Sequence, residues 1–259
     1  MPGLTDIHVH LLPGIDDGPR DVEGAVAMAR AAVRAGTETI AVTPHLRSDF
    51  PDVHVGEIAR RCERLRGELE EAGVALRIVE GAEVSLAWAL NADEESLRLA
   101  TYGQRGSDIL IETPSNASVL PKLLEPLLAR GLRITLAHPE RGAAFHHQPE
   151  LLEELRERGV LGQLNAGALL RARHGGRGFV QRLCERGLVQ VIASDGHRGE
   201  EWRPVGVLAD AVAAAAELVG DERALWMASA APLAIIEGRP LPAAPEAVAR
   251  RRRGWRPWR

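Results

Sequence analysis

Short apolar runs recur along the chain at residues 4–9, 39–43, 76–82, 109–112, 133–137, 161–165 and 189–194, each of strand length and bounded by polar or turn-forming residues. Between most of them the apolar positions fall at helical spacing, over residues 22–35, 55–72, 118–129, 149–157 and about 178–185. Two further helical stretches, 205–219 and 222–231, follow the last strand, and a Pro-rich segment, 240–245, comes after them. Gly36, Gly73, Gly131, Gly159 and Gly187 each stand between a helical run and the next strand, where a left-handed C-terminal residue is wanted. Repeated strand-helix alternation predicts an α/β domain with a parallel sheet, since parallel neighbours need a crossover connection. Seven strands fit either an open doubly wound sheet or a closed barrel, and periodicity does not separate the two.

Composition narrows the class. A chain of 259 residues can bury roughly three quarters of its unfolded surface. At 45% hydrophobic and 26% charged, with no apolar run near membrane-spanning length, it reads as a soluble globular protein. The N-terminal residues lack the basic start and apolar stretch of a signal peptide, so a cytoplasmic location is expected. Cys62 and Cys184 are distant and set in helical contexts, which argues against a disulfide framework. The net charge of -4 hides an asymmetry: residues 250–259 hold six arginines and no acid, which leaves residues 1–249 at -10. An acidic body argues against an extended nucleic-acid surface. The sequence thus divides into a body, 1–240, and a Pro-containing, Arg-rich tail, 241–259, expected to be poorly ordered and without a dedicated ligand.

The polar residues at strand ends carry the chemistry. His8 and His10 close the first strand and share one face of it, because side chains alternate with a period of two. His45 follows the second strand, Glu83 the third, Glu112 the fourth and His138 the fifth, while Asp195 and His197 follow the seventh. In an α/β barrel these ends converge on the face where such folds place their chemistry. Asp17, Glu83, Glu112 and Asp195 brought together would cost several kcal/mol uncompensated, so something positive must sit among them. Mixed imidazole and carboxylate donors suit zinc, manganese or iron rather than calcium, and the lack of thiolate donors argues against structural zinc. Nine candidate ligands can hold two or three cations. Three divalent ions and one bound hydroxide against four carboxylates would leave about +1, a charge that favours an anionic substrate such as a phosphate ester.

The ordered series Asp6-Ile7-His8-Val9-His10, Asp16-Asp17-Gly18, Thr43-Pro44-His45, Glu83, Glu112, Ala137-His138-Pro139-Glu140-Arg141, Gln163-Leu164-Asn165-Ala166-Gly167 and Ser194-Asp195-Gly196-His197 resembles the PHP (polymerase and histidinol phosphatase) superfamily. More narrowly it is similar to the CpsB/YwqE-like bacterial manganese-dependent protein-tyrosine phosphatases of capsule and exopolysaccharide synthesis, over about residues 4–235. The resemblance implies a distorted seven-stranded (β/α)7 TIM-like barrel with three divalent ions at its C-terminal mouth, Mn2+ foremost and Fe, Zn or Co as alternatives. It implies one ion on His8, His10, Glu83 and Asp195, a second on Glu83, Glu112 and His138, and a third on Asp17, His45 and His197, with Glu83 bridging. Asp6, on the histidine face of its strand, is expected to orient an imidazole. Arg141 matches a phosphate-contacting arginine, and Arg203 is a weaker match to a second, with Arg198 in competition.

The implied reaction is hydrolysis of phosphotyrosine in a protein, an autophosphorylated bacterial tyrosine kinase above all, by attack of a metal-bound hydroxide whose parent water has a pKa near about 7. Such a chain is not a membrane protein, is not expected to bind nucleic acid, and leaves self-association open. A small phosphomonoester such as histidinol phosphate is the alternative substrate, and a catalytically silent scaffold the alternative from another class. The cysteine-based phosphatase route is set aside, because Glu68 and Gln190 stand six residues after Cys62 and Cys184 where an arginine is needed. Leu46 departs from the second histidine that relatives often carry after His45. With only 3% aromatic residues, Trp88 and Tyr102 are the ring candidates near the mouth, and Trp88 is expected to be ordinary packing.

Overall fold

The computed structural model describes residues 3–114, 118–173, 177–198 and 202–248. Among them lie nine strands: β1 (Leu4–Val9), β2 (Thr37–Val42), β3 (His45–Leu46), β4 (Arg77–Glu80), β5 (Glu83–Val84), β6 (Asp108–Glu112), β7 (Arg133–Ala137), β8 (Leu161–Asn165) and β9 (Val191–Ala193). All pairings between them are parallel, in a sheet ordered β1-β2-β4 and another ordered β3-β5-β6-β7-β8-β9. All seven predicted runs contain strand, and two of them bear on a break. The run at 39–43 resumes as β3 after Pro44, whose ring lacks the N–H a ladder needs. The run at 76–82 ends as β4 and resumes as β5 after Gly81, where a Cβ would stand 2.9 Å from the Tyr102 ring. These two breaks pass the chain from one sheet to the other, for β2 and β4 pair in the first while β3 and β5 pair in the second.

The far ends of the strand order also meet. Asp195 N–H donates to the His8 carbonyl and His10 N–H to the Gly196 carbonyl, both at 2.9 Å, which ties the segment after β9 to β1. A small apolar cluster draws Ile7 from β1, Ala41 from β2, Val79 from β4, Leu110 from β6, Ala137 from β7 and Val191 and Ala193 from β9, with Tyr102, Ile235 and Ile236. The Tyr102 hydroxyl, which burial would leave at a cost, donates to the Ile7 carbonyl at 2.9 Å. The larger core lies between strands and helices.

Helices form where their apolar stripes predict them, at Val22–Arg34, Ile58–Glu71, Leu120–Ala129, Glu150–Glu157, Arg177–Glu185 and Leu208–Val219. The first is capped by Asp21, whose carboxylate accepts Gly24 N–H at 2.8 Å. The five glycines predicted to end helices all have φ between 62° and 87°. The predicted 222–231 stretch is two helices, Asp221–Ala228 and Ala230–Ile236. Four short helices, Leu86–Asn91, Glu94–Ala100, Ala143–His147 and Ala166–Arg173, have too few turns to show a period. Two of them carry a legible cap, since Ser85 accepts from Trp88 N–H and Asp93 from Ser96 N–H.

No helix among the described residues is long and apolar enough to cross a membrane. Of the predicted tail, Leu241 packs on the core, Pro245 accepts a bond from Arg223, and Val248 N–H donates to the Val219 carbonyl. Residues 249–259, with the arginine cluster, lie outside the described residues.

Candidate metal centre

Parallel register sets the strand ends side by side. His45 pairs with Glu83, Glu83 with Leu110, Glu112 with Ala137, and Ala137 with Gln163. His8, His10, His45, Glu83, His138, Asp195 and His197 are all buried there, each at most 5% exposed. Four groups of donor atoms lie within 4.8 Å of one another: His10, Asp17, His45 and His197; His8, Glu83 and His138; His8, His10 and Asp195; and His45, Glu83 and Glu112. All nine residues expected from the sequence therefore converge. Among the described residues, three of the four non-glycine residues with positive φ are also here, His138 (39°), Asp195 (54°) and Arg203 (49°). Such backbone conformations cost free energy and persist where the surroundings impose them.

The imidazoles are oriented by hydrogen bonds from their outer nitrogens. His8 Nδ1 lies 2.9 Å from Gln163 Oε1, His10 Nδ1 2.8 Å from Asp16 Oδ2, and His197 Nδ1 2.8 Å from the Asp195 carbonyl. An Nδ1–H given to these acceptors leaves each Nε2 with a lone pair turned inward. Those lone pairs meet others. His8 Nε2 is 3.3 Å from Glu83 Oε2 and 3.5 Å from Asp195 Oδ1, His10 Nε2 is 3.3 Å from His8 Nε2, and His197 Nε2 is 3.2 Å from Asp17 Oδ1. Glu83 Oε2, Asp17 Oδ1, His45 Nδ1 and His138 Nδ1 are buried without any hydrogen-bond partner. Acceptors facing acceptors in a buried space require cations between them, protons or metal ions. The donor set, imidazole and carboxylate without thiolate, fits divalent transition ions.

The same charges shift the acid-base behaviour of the protein alone. Burial opposes a charge on His10, but the hydrogen bond to Asp16 and the adjacent Glu83 carboxylate outweigh it and raise its pKa to about 10. His45 is raised to about 9 against its burial by Asp17 and Glu83. Asp195 is lowered to about 2, its burial overcome chiefly by His8 with His138 and Arg141. His197 is pushed down, burial being the largest cause, which keeps its ring neutral.

Two expectations need correction. Asp6 orients no imidazole, for its carboxylate accepts the N–H of Ser194 at 3.1 and 3.2 Å and that of His8 at 3.3 Å, pinning the end of β9 to β1. The groups that hold the rings are Asp16 and Gln163, both inside motifs already visible in the sequence. Tyr102 is buried, so it offers no free ring, whereas Trp88 packs against the core as expected. Glu112 lies within reach of His45 and Glu83, and both its oxygens accept from Arg47 Nη1 at 2.8 and 3.0 Å.

The expected arginines reach the centre. Arg141 Nη2 is 2.7 Å from Asp195 Oδ2, and Arg203 Nη1 is 3.3 Å from Asp195 Oδ1 and 3.2 Å from His197 Nε2. Arg198 instead donates to the backbone carbonyls of Asp17 and Gly18.

Known proteins resemble this chain over most of its length. It is 32% identical over 205 residues to the tyrosine-protein phosphatase YwqE of Bacillus subtilis, covering 75% of this chain and 77% of the relative. The tyrosine-protein phosphatase CpsB of Streptococcus pneumoniae is 28% identical over 211 residues, covering 78% of this chain and 86% of the relative. A crystal structure from work on B. subtilis YwqE and S. pneumoniae CpsB, described as unique metal-dependent tyrosine phosphatases, matches with a TM-score of 0.78 at 28% identity, over 95% of this chain and 100% of the other. The family model for capsular polysaccharide synthesis, CpsB/CapC, matches residues 4–237, and the chain belongs to that family.

Proposed function

We propose that this protein is a metal-dependent phosphatase that hydrolyses phosphotyrosine in proteins, with an autophosphorylated bacterial tyrosine kinase of capsule or exopolysaccharide synthesis as its partner in the cytoplasm. The observation that carries the reading is the convergence of buried imidazole and carboxylate donors from His8, His10, Asp17, His45, Glu83, His138, Asp195 and His197, with Asp17 Oδ1, His45 Nδ1 and Glu83 Oε2 lacking any hydrogen-bond partner. The relatives named as tyrosine phosphatases supply the substrate class. The parallel sheets and the bonds between β1 and the segment after β9 support a distorted (β/α)7 barrel over residues 1–240, with 241–259 as an appended tail.

In this reading three divalent ions, Mn2+ foremost, are held by His8, His10, Glu83 and Asp195, by Glu83, Glu112 and His138, and by Asp17, His45 and His197. For Glu112 to join its set, Arg47 must release it. Bound ions supply positive charge for phosphoryl oxygens and lower the pKa of water toward about 7. Gln163 and Asp16 fix the rings of His8 and His10, so no reorientation is required when an ion or substrate arrives. Arg141 and Arg203 present guanidinium donors at the rim, where they hold the transferring phosphoryl group. Tyrosyl phenolate leaves readily, so no strong general acid is required.

The test is hydrolysis of a phosphotyrosyl peptide by protein stripped with chelator and restored with Mn2+, beside a His8→Ala plus His10→Ala variant. Turnover that requires metal and disappears in the variant is expected. Turnover of a small ester alone would move the substrate to a phosphomonoester such as histidinol phosphate. No turnover with Mn2+, Zn2+, Fe2+ or Co2+ would overturn the reading in favour of a silent scaffold.

A further inference from the structure

Trp202 stands beside the metal centre with 43% of its surface exposed, in a chain that has few aromatic residues. Its ring meets His197 edge-on, with centroids 4.9 Å apart and planes at 70°. The Arg203 guanidinium lies over it, 4.7 Å from the centroid, and the same guanidinium reaches Asp195 and His197. The backbone fixes this placement. Arg198 N–H donates to the Trp202 carbonyl and Trp202 N–H to the Arg198 carbonyl, at 3.1 and 3.3 Å, while the Arg198 side chain is anchored on Asp17 and Gly18. A large amphipathic ring at the rim of a polar site, with Arg203 over it and 43% of its surface still exposed, leaves apolar surface open to a ligand.

Among the described residues the other rings are spoken for, Trp88 being packed against the core. Tyr102, Phe145, Phe179 and Trp226 are buried. Phe50, on the opposite flank, lies stacked on His45 at 4.9 Å and 13° with Arg47 over its ring at 5.5 Å. We propose that Trp202 is the surface on which the aromatic ring of an aryl phosphate ester rests, so that this residue sets the preference for phosphotyrosine over alkyl phosphates. The proposal rests on the phosphatase reading. With the phosphoryl group on Arg203, the ring of a tyrosyl ester begins one bridging oxygen away, beside the indole that Arg203 covers. An alkyl phosphate has no ring to place there. An aromatic pair of ordinary strength is worth about 3- to 10-fold in specificity.

The experiment compares kcat/KM of the Mn2+-loaded wild type, Trp202→Ala and Trp202→Phe on a phosphotyrosyl peptide and on the phosphoseryl peptide of the same sequence. Binding of phenylphosphonate and ethylphosphonate is measured alongside by calorimetry. Expected is a drop of about 3- to 10-fold for the aryl ester alone in the alanine variant, with the phenylalanine variant retaining most of the preference. The phosphonates should follow the same order. Equal losses on both esters would overturn the proposal, leaving Trp202 as a prop for Arg203 and His197, and so would no loss on either. A wild type that turns over the phosphotyrosyl peptide while Trp202→Ala keeps the aryl preference sinks this proposal and leaves the phosphatase reading standing. A wild type that hydrolyses neither peptide sinks the phosphatase reading, and equal binding of the two phosphonates then sinks this one too.

Discussion

At the scale of single residues, the centre depends on groups that face away from it. Asp16 accepts from His10 Nδ1, and its Oδ2 also accepts the backbone N–H of His45. Asp16→Asn should therefore weaken metal binding about 10- to 100-fold, read by competition with a chromophoric chelator. The protonation of His10 and His45 sets a pH dependence with a definite sign. Their pKa values of about 10 and 9 mean that both rings hold a proton at pH 7 in the ion-free protein. An ion must displace those protons, so its affinity should fall as pH is lowered, and loading in weak buffer should release protons. Affinity independent of pH between about 6 and 8 would contradict these assignments. Burial pushes the thiols of Cys62 and Cys184 up to about 12, so neither should react with an alkylating reagent at pH 8 until the protein is unfolded, and activity should survive the treatment. The nine inward residues were legible because imidazoles and carboxylates at strand ends announce their own chemistry. Asp16, Gln163 and Arg47 were not singled out, because an orienting partner has no period or spacing of its own and is defined by a tertiary contact. Asp6 was misread for the same reason: its strand face was right, but the Ser194 N–H that claims its carboxylate lies 188 residues away.

At the scale of elements, the strands position the site only if they pack at close range. A Cβ at Gly162 would stand 2.6 Å from the Leu188 carbonyl oxygen and 3.0 Å from Val189, and backbone cannot yield as a side-chain tip can. Gly162→Ala should cost about 1–3 kcal/mol by overpacking, lowering Tm by several degrees. It should also weaken metal binding, because the neighbouring Gln163 orients His8. An unchanged melting curve would show that β8 has room to move. Strand existence was readable from apolar runs, and helix ends from glycines 36, 73, 131, 159 and 187. The breaks after β2 and β4 were not readable, because they answer to Pro44 and to the Tyr102 ring beside Gly81. The helices Leu86–Asn91 and Glu94–Ala100 were missed because their length hides a period, although Ser85 and Asp93 offered caps.

At the scale of the whole molecule, an acidic body with a net -10 over residues 1–249 encloses carboxylates and inward lone pairs that only cations reconcile. Folding and ion binding are therefore linked. Saturation at about a hundred times Kd should add about 2.7 kcal/mol of stability, raising Tm by about 5–10 °C, and chelator should reverse it. Parallel topology was legible in the alternation of strands and helices; the division into two sheets was not, because it depends on local breaks rather than on period. The direct measurement is crystallography of Mn2+-loaded protein with an anomalous difference map at the manganese edge. Peaks are expected among His8, His10, Asp17, His45, Glu83, Glu112, His138, Asp195 and His197, with the Arg47 guanidinium withdrawn from Glu112. A fully loaded crystal with no peak inside that cluster would contradict the metal-centre reading.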